Sequence, residues 1–185
     1  MKTIKFSISI IILLLATSTF AQRYITKTGH IWFYSEAPLE TIVAHNKQVN
    51  AALDTKTGAI VFKVLMKSFI FEKALMQEHF NENYVESDQF PNATFQGIVT
   101  NAKDIDFGKQ GTYQAEIAGE LTIHGTTNKV NANGTFNIQS DIIHGNSKFN
   151  IRIADYDISI PGAVTGKIAD EVELNVDIKL KELRK

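Results

Sequence analysis

Apolar and polar residues change places one for one along most of this chain, and that rhythm leaves few folds open. Near the C-terminus, Val172, Leu174, Val176, Ile178 and Leu180 alternate with Glu171, Glu173, Asn175, Asp177, Lys179 and Lys181. Successive side chains of a strand point to opposite faces, so this pattern predicts a strand with one wet and one buried face. The same period places Tyr113, Ala115, Ile117, Gly119, Leu121 and Ile123 together, and likewise Val130, Ala132, Gly134, Phe136 and Ile138. Phe95, Gly97 and Val99 mark another strand, and Phe149, Ile151 and Ile153 one more. Upstream, residues 24–36 read as a strand kinked near Gly29 and ended by Pro38, and residues 41–54 as a second extended segment. Residues 60–70 put Ile60, Phe62, Val64, Met66 and Ile70 on one face, with Ser68 alone out of step.

One segment departs from the rhythm. From Glu72 to Phe80 (EKALMQEHF) the apolar residues Ala74, Leu75, Met76 and Phe80 recur at helical spacing among good helix formers. Phe90-Pro91 then ends any helix, because the residue before proline is pushed towards extended geometry. A short helix lying across a sheet rim is the place to expect a mouth or lid, built on Leu75, Met76, His79 and Phe80.

Roughly eight strands and one helix fit an all-β sandwich or barrel. Long strands joined mostly by short turns favour an up-and-down meander that closes on itself and leaves no edge exposed. The small inward residues Ala115, Gly119, Ala132 and Gly134 leave room beside Phe62, Phe95, Tyr113, Phe136 and Phe149. A barrel of this size either fills itself with side chains or holds one small ligand, and periodicity is silent on which.

The first 21 residues read as a secretory signal peptide: Lys2 and Lys5, an apolar run from Ile8 to Ala16, then Thr19 and Ala21 before the cut. Residues 22–185 form a single domain, with no linker or internal repeat. Taking Lys2 and Lys5 from the 19 basic side chains leaves 17 against 20 acidic ones, a formal charge of −3. Such a chain has no electrostatic reason to seek nucleic acid. No cysteine is present, so both disulfides and a lipoprotein attachment thiol are excluded. The expectation is a periplasmic or secreted protein that does not span a membrane and is held together by its core alone.

Catalytic and metal motifs are missing. His79 lacks a partner four residues on, where Asn83 stands, and His30, His45, His124 and His144 show no metal-ligand spacing. There is no GxSxG elbow and no glycine-rich phosphate loop. Asp104 with Asp106 and Asp155 with Asp157 read as solvated turns, since the glycine and later glutamate of a calcium loop do not follow. No cofactor is expected.

The ordered set SFIFEKALMQEHFNENYVESDQFPNATFQG, GELTIHGTTNKV and IADEVELNVDIKL resembles the YceI-like family of exported lipid-binding proteins, from about Tyr24 to Leu180. The resemblance implies an extended, lipocalin-like antiparallel β-barrel whose apolar pore holds a polyisoprenoid or similar long-chain amphiphile. It implies no catalytic residues. On this reading Phe62, Val64, Met66, Phe95, Tyr113, Ile117, Phe136 and Phe149 line the pore, and the helix frames its mouth. The protein is then a non-enzymatic carrier or sequestering protein for lipid. The alternative is a filled barrel serving as an exported interaction or stress-response module without a small ligand. A homodimer through an edge or loop face is compatible with either reading.

Overall fold

The structure, a computed structural model, describes residues 23–164 and 166–183. The leader expected over residues 1–21 lies outside them. In chain order the elements are β1 (Arg23–Glu36), β2 (Thr41–Asp54), β3 (Ala59–Leu65), β4 (Ile70–Phe71), α1 (Ala74–His79), β5 (Asn92–Val99), β6 (Gly111–Ile123), β7 (Thr126–Gln139), β8 (Ile142–Arg152) and β9 (Glu171–Glu182). Each long strand pairs antiparallel with its neighbour in sequence. The pairing of β1 with both β2 and β9 closes eight strands into a barrel, and the two-residue β4 adds a short patch beside β2. The expected meander is therefore the observed topology, and closure removes the exposed edges that antiparallel strands otherwise carry.

Local chemistry sets the turns. Ile123 and Thr126 are paired, so only His124 and Gly125 span the β6–β7 turn, with φ of 49° and 77°. Positive φ at both central residues is the type I′ geometry, whose twist suits a tight hairpin and favours glycine. The kink expected near Gly29 is a shift in the β1–β2 register on either side of that residue.

The long stretch read as one strand over residues 60–70 is two. A 3-10 turn at Met66–Ser68 separates β3 from β4 and resets the alternation. Phe69 is buried as a result, and Ile70, expected on the inward face, is exposed. The helix is also shorter than expected: α1 ends at His79, and Phe80–Tyr84 continue as a wider π-type turn.

The interior splits into two apolar clusters. One plugs the end where β2 turns into β3 and β5 into β6; it contains Tyr24, Leu53, Val99, Ile138, Ile143 and Leu180, with Ile105 and Phe107 folded in from the β5–β6 connector. The other lies towards the end that carries α1 and the β8–β9 connector. Phe62 and Phe95 pack against both. Among the described residues, no helix is long and apolar enough to cross a membrane.

Candidate functional site

Between the two clusters lies a cavity of about 470 Å³. It exists because the inward positions of the wall are unevenly filled. Phe62 and Phe95 face each other across β3 and β5 with ring centroids 6.1 Å apart, edge to face. Next to them around the barrel, β6 and β7 contribute the small residues Ala115, Ala132 and Gly134 to the lining. Gly97 and Gly119, paired across β5 and β6, let the Phe95 ring lie flat along the wall. A Cβ on Gly119 would come within 2.6 Å of Phe95 Cζ and 2.5 Å of the Gln96 carbonyl oxygen.

The floor is formed by Ile60, Ala115, Phe136 and Ile178, which belong to the plugged end. At the opposite end the lining includes Glu40, Lys73, Leu75, Met76, His79 and Lys167. Leu75 is 61% exposed there, so the cavity meets solvent at this end. A knot of four phenylalanines holds the helix over the barrel wall. Phe80 lies 5.7 Å from Phe33, 5.6 Å from Phe69 and 5.0 Å from Phe71, measured between ring centroids. Lys73 Nζ donates to Glu40 Oε1 at 2.9 Å, tying the start of α1 to the β1–β2 loop. That hydrogen bond holds the Lys73 ammonium above its ordinary pKa of 10.5.

Other mouth segments are clasped to one another. His124 places Nε2 2.7 Å from Glu86 Oε2 and Nδ1 3.2 Å from the Tyr156 carbonyl oxygen, joining the β6–β7 turn to two connectors. The Ala169 N–H donates to Ser35 Oγ at 3.0 Å, fixing the end of the β8–β9 connector against β1. Burial raises the phenol pKa of Tyr156 and of Tyr84.

Seven of the eight residues predicted to line a pore border this cavity: Phe62, Val64, Met66, Phe95, Ile117, Phe136 and Phe149. Tyr113 does not. It packs beside the plug cluster, and its hydroxyl donates to the Lys109 carbonyl oxygen at 3.3 Å. It shares the inward face of β6 with Ile117 but sits nearer the plugged end. The four predicted mouth residues, Leu75, Met76, His79 and Phe80, all border the cavity. Sequence reasoning missed Phe33, Phe69, Phe71, Leu174 and Val176. Phe33, Leu174 and Val176 could have been found by phasing β1 and β9 against the barrel interior. Among the described residues, no three His, Asp or Glu side chains converge as a metal site.

Fold and cavity together define a class: a closed up-and-down β-barrel, plugged at one end, with an apolar hollow opening under a short helix. The chain belongs to the YceI-like domain family, whose model matches residues 24–180. Among curated proteins, none matches significantly. A polyisoprenoid-binding domain from Saccharophagus degradans implicated in plant cell wall breakdown has a similar fold, with a TM-score of 0.75 at 13% identity over 87% of this chain and 98% of that one. BcnA of Burkholderia cenocepacia gives a TM-score of 0.68 at 16% identity, covering 82% and 95%. The YCEI protein of Campylobacter jejuni gives 0.58 at 13% identity, covering 77% and 85%.

Proposed function

We propose that this barrel is an exported, non-enzymatic binder of a polyisoprenoid or similar long-chain lipid, which it carries or sequesters. The observation that carries the reading is the cavity of about 470 Å³, walled by Phe62, Val64, Met66, Phe95, Ile117 and Phe149, with the charged side chains of Glu40, Lys73 and Lys167 also in its lining. Family membership and the polyisoprenoid-binding domain of similar fold support it. The leader-like residues 1–21 support export to the periplasm or beyond.

The physics favours a chain-like apolar cargo. Each methylene taken from water into such a hollow releases about 0.8 kcal/mol. A five-carbon unit therefore contributes up to roughly 4 kcal/mol before ordering and association costs are subtracted. The polar end of the cargo stays at the mouth, beside Lys73, Glu40, His79 and Lys167, because the floor residues Ile60, Phe136 and Ile178 are apolar.

Displacement of a bound fluorescent long-chain probe, cis-parinarate, by polyprenols of increasing length tests this. Affinity should rise about tenfold or more per added isoprene unit and level off once the hollow is full. A protein that takes up neither the probe nor any polyprenol would instead be an interaction module whose hollow is incidental.

A further inference from the structure

His30 and His45 stand 15 residues apart in sequence, and the β1–β2 ladder brings them together on the outer wall of the barrel. Ile31, Phe33 and Ser35 border the cavity, so His30 and Trp32 project the other way. The register shift at Gly29 moves His30 along its strand towards the position of His45, leaving His30 Nε2 3.0 Å from His45 Nδ1. Bulges commonly re-aim a side chain in this way. Trp32 lies directly across from His45 in the ladder and stacks on the His30 ring at 4.6 Å. On the other side Asp177 of β9 is the register partner of His30, and its carboxylate accepts a hydrogen bond from His144 Nε2 at 2.7 Å.

Two ring nitrogens at this separation fit a metal chelate. With bonds of about 2.05 Å, neighbouring nitrogens lie about 2.9 Å apart on a square-planar ion and about 3.3 Å apart on a tetrahedral one. The observed 3.0 Å lies nearer the former. Square-planar or tetragonal nitrogen sites are the preference of Cu(II) and Ni(II), and Cu(II) heads the affinity order for imidazole. We propose that His30 Nε2 and His45 Nδ1 form a two-histidine chelate for Cu2+ or Ni2+ on the outer wall of the barrel, separate from the cavity. Only two protein donors converge, so water fills the remaining positions, and the site is open and exchangeable.

The molecule carries its own reporter. Trp32 is its one tryptophan, and bound Cu2+ quenches a neighbouring indole. CuCl2 is titrated into the full chain, prepared without a polyhistidine tag, at pH 7.5 in a non-chelating buffer. The expected result is quenching that saturates at one Cu2+ per chain and is reversed by EDTA. His30→Gln and His45→Gln should each weaken binding at least tenfold, and His144→Gln should leave it unchanged. The electron paramagnetic resonance spectrum of the loaded protein should carry the hyperfine signature of two nitrogens. Quenching that never saturates, or that persists in a folded His30→Gln/His45→Gln double variant, would overturn the proposal. So would a spectrum without nitrogen coupling, which leaves the 3.0 Å contact an ordinary N–H···N hydrogen bond.

Discussion

Phe33 of β1 and Phe80 at the end of the lid helix stack with ring centroids 5.7 Å apart and planes 26° from parallel. The contact joins the barrel wall to the helical segment at the mouth. Neither α1 nor the turn after it buries any residue fully, so Phe80 and its three aromatic neighbours supply much of what holds the lid down. Phe80→Ala should cost about 2 kcal/mol, less than the 3–5 kcal/mol of a fully buried phenylalanine. Urea unfolding measures that cost. Stopped-flow release of cis-parinarate should quicken by more than the loss of equilibrium affinity alone requires.

The pairing of Gly97 with Gly119 is a space requirement set by Phe95. Gly119→Ala should displace the Phe95 ring and strain the β5–β6 pairing, destabilising the fold by about 1–3 kcal/mol as overpacking does. Gly162→Ala is the control, since nothing lies within 4 Å of a Cβ there. Equal stability of the two variants would remove the spatial role assigned to Gly119.

Asn46 is wholly buried inside an otherwise apolar wall. Its Nδ2 donates to the Leu65 carbonyl oxygen at 2.9 Å, and its Oδ1 accepts from the Gln48 N–H at 2.9 Å. The first bond anchors the point where β3 gives way to the 3-10 turn. Asn46→Leu leaves both backbone groups without this partner, at about 1–3 kcal/mol for each one that stays dry. Thermal unfolding and amide exchange at Gln48 would register the loss.

Acid should weaken the fold partly through His30. Its pKa in the folded chain lies below the ordinary 6.5, so the unfolded chain takes up the proton first as pH falls. The stability tied to neutral His30 is complete above about pH 6.5 and is lost as pH drops through the lower folded value. His45, Lys47 and Asp177 are the charged or titratable groups acting on it. Urea midpoints between pH 7.5 and 5 should fall more steeply for the native chain than for His30→Gln. Parallel curves would contradict this assignment.

Much of the barrel was legible because its period is local. The alternation in β9 and the inward set of β6 and β7 needed only neighbouring residues to be read. The mistakes arose where local counting crossed a break. Carrying the phase of β3 through Met66–Ser68 put Ile70 inside and left Phe69 unnoticed, because a 3-10 turn does not keep a period of two. Tyr113 was assigned to the right face and the wrong depth, since alternation gives the side of a strand and not how far a residue lies from the plug. The pairing of His30 with His45 was invisible for a different reason. It depends on the register of two strands and the slip at Gly29, neither of which is written in the spacing of the histidines.

Native mass spectrometry of the protein purified without detergent, followed by solvent extraction of what it carries, tests lipid binding at its source. The account predicts one excess mass per barrel, released into organic solvent as a long-chain isoprenoid lipid, with uptake abolished in a folded Phe136→Glu variant. A bare-chain mass that persists after incubation with a polyisoprenoid mixture would contradict it.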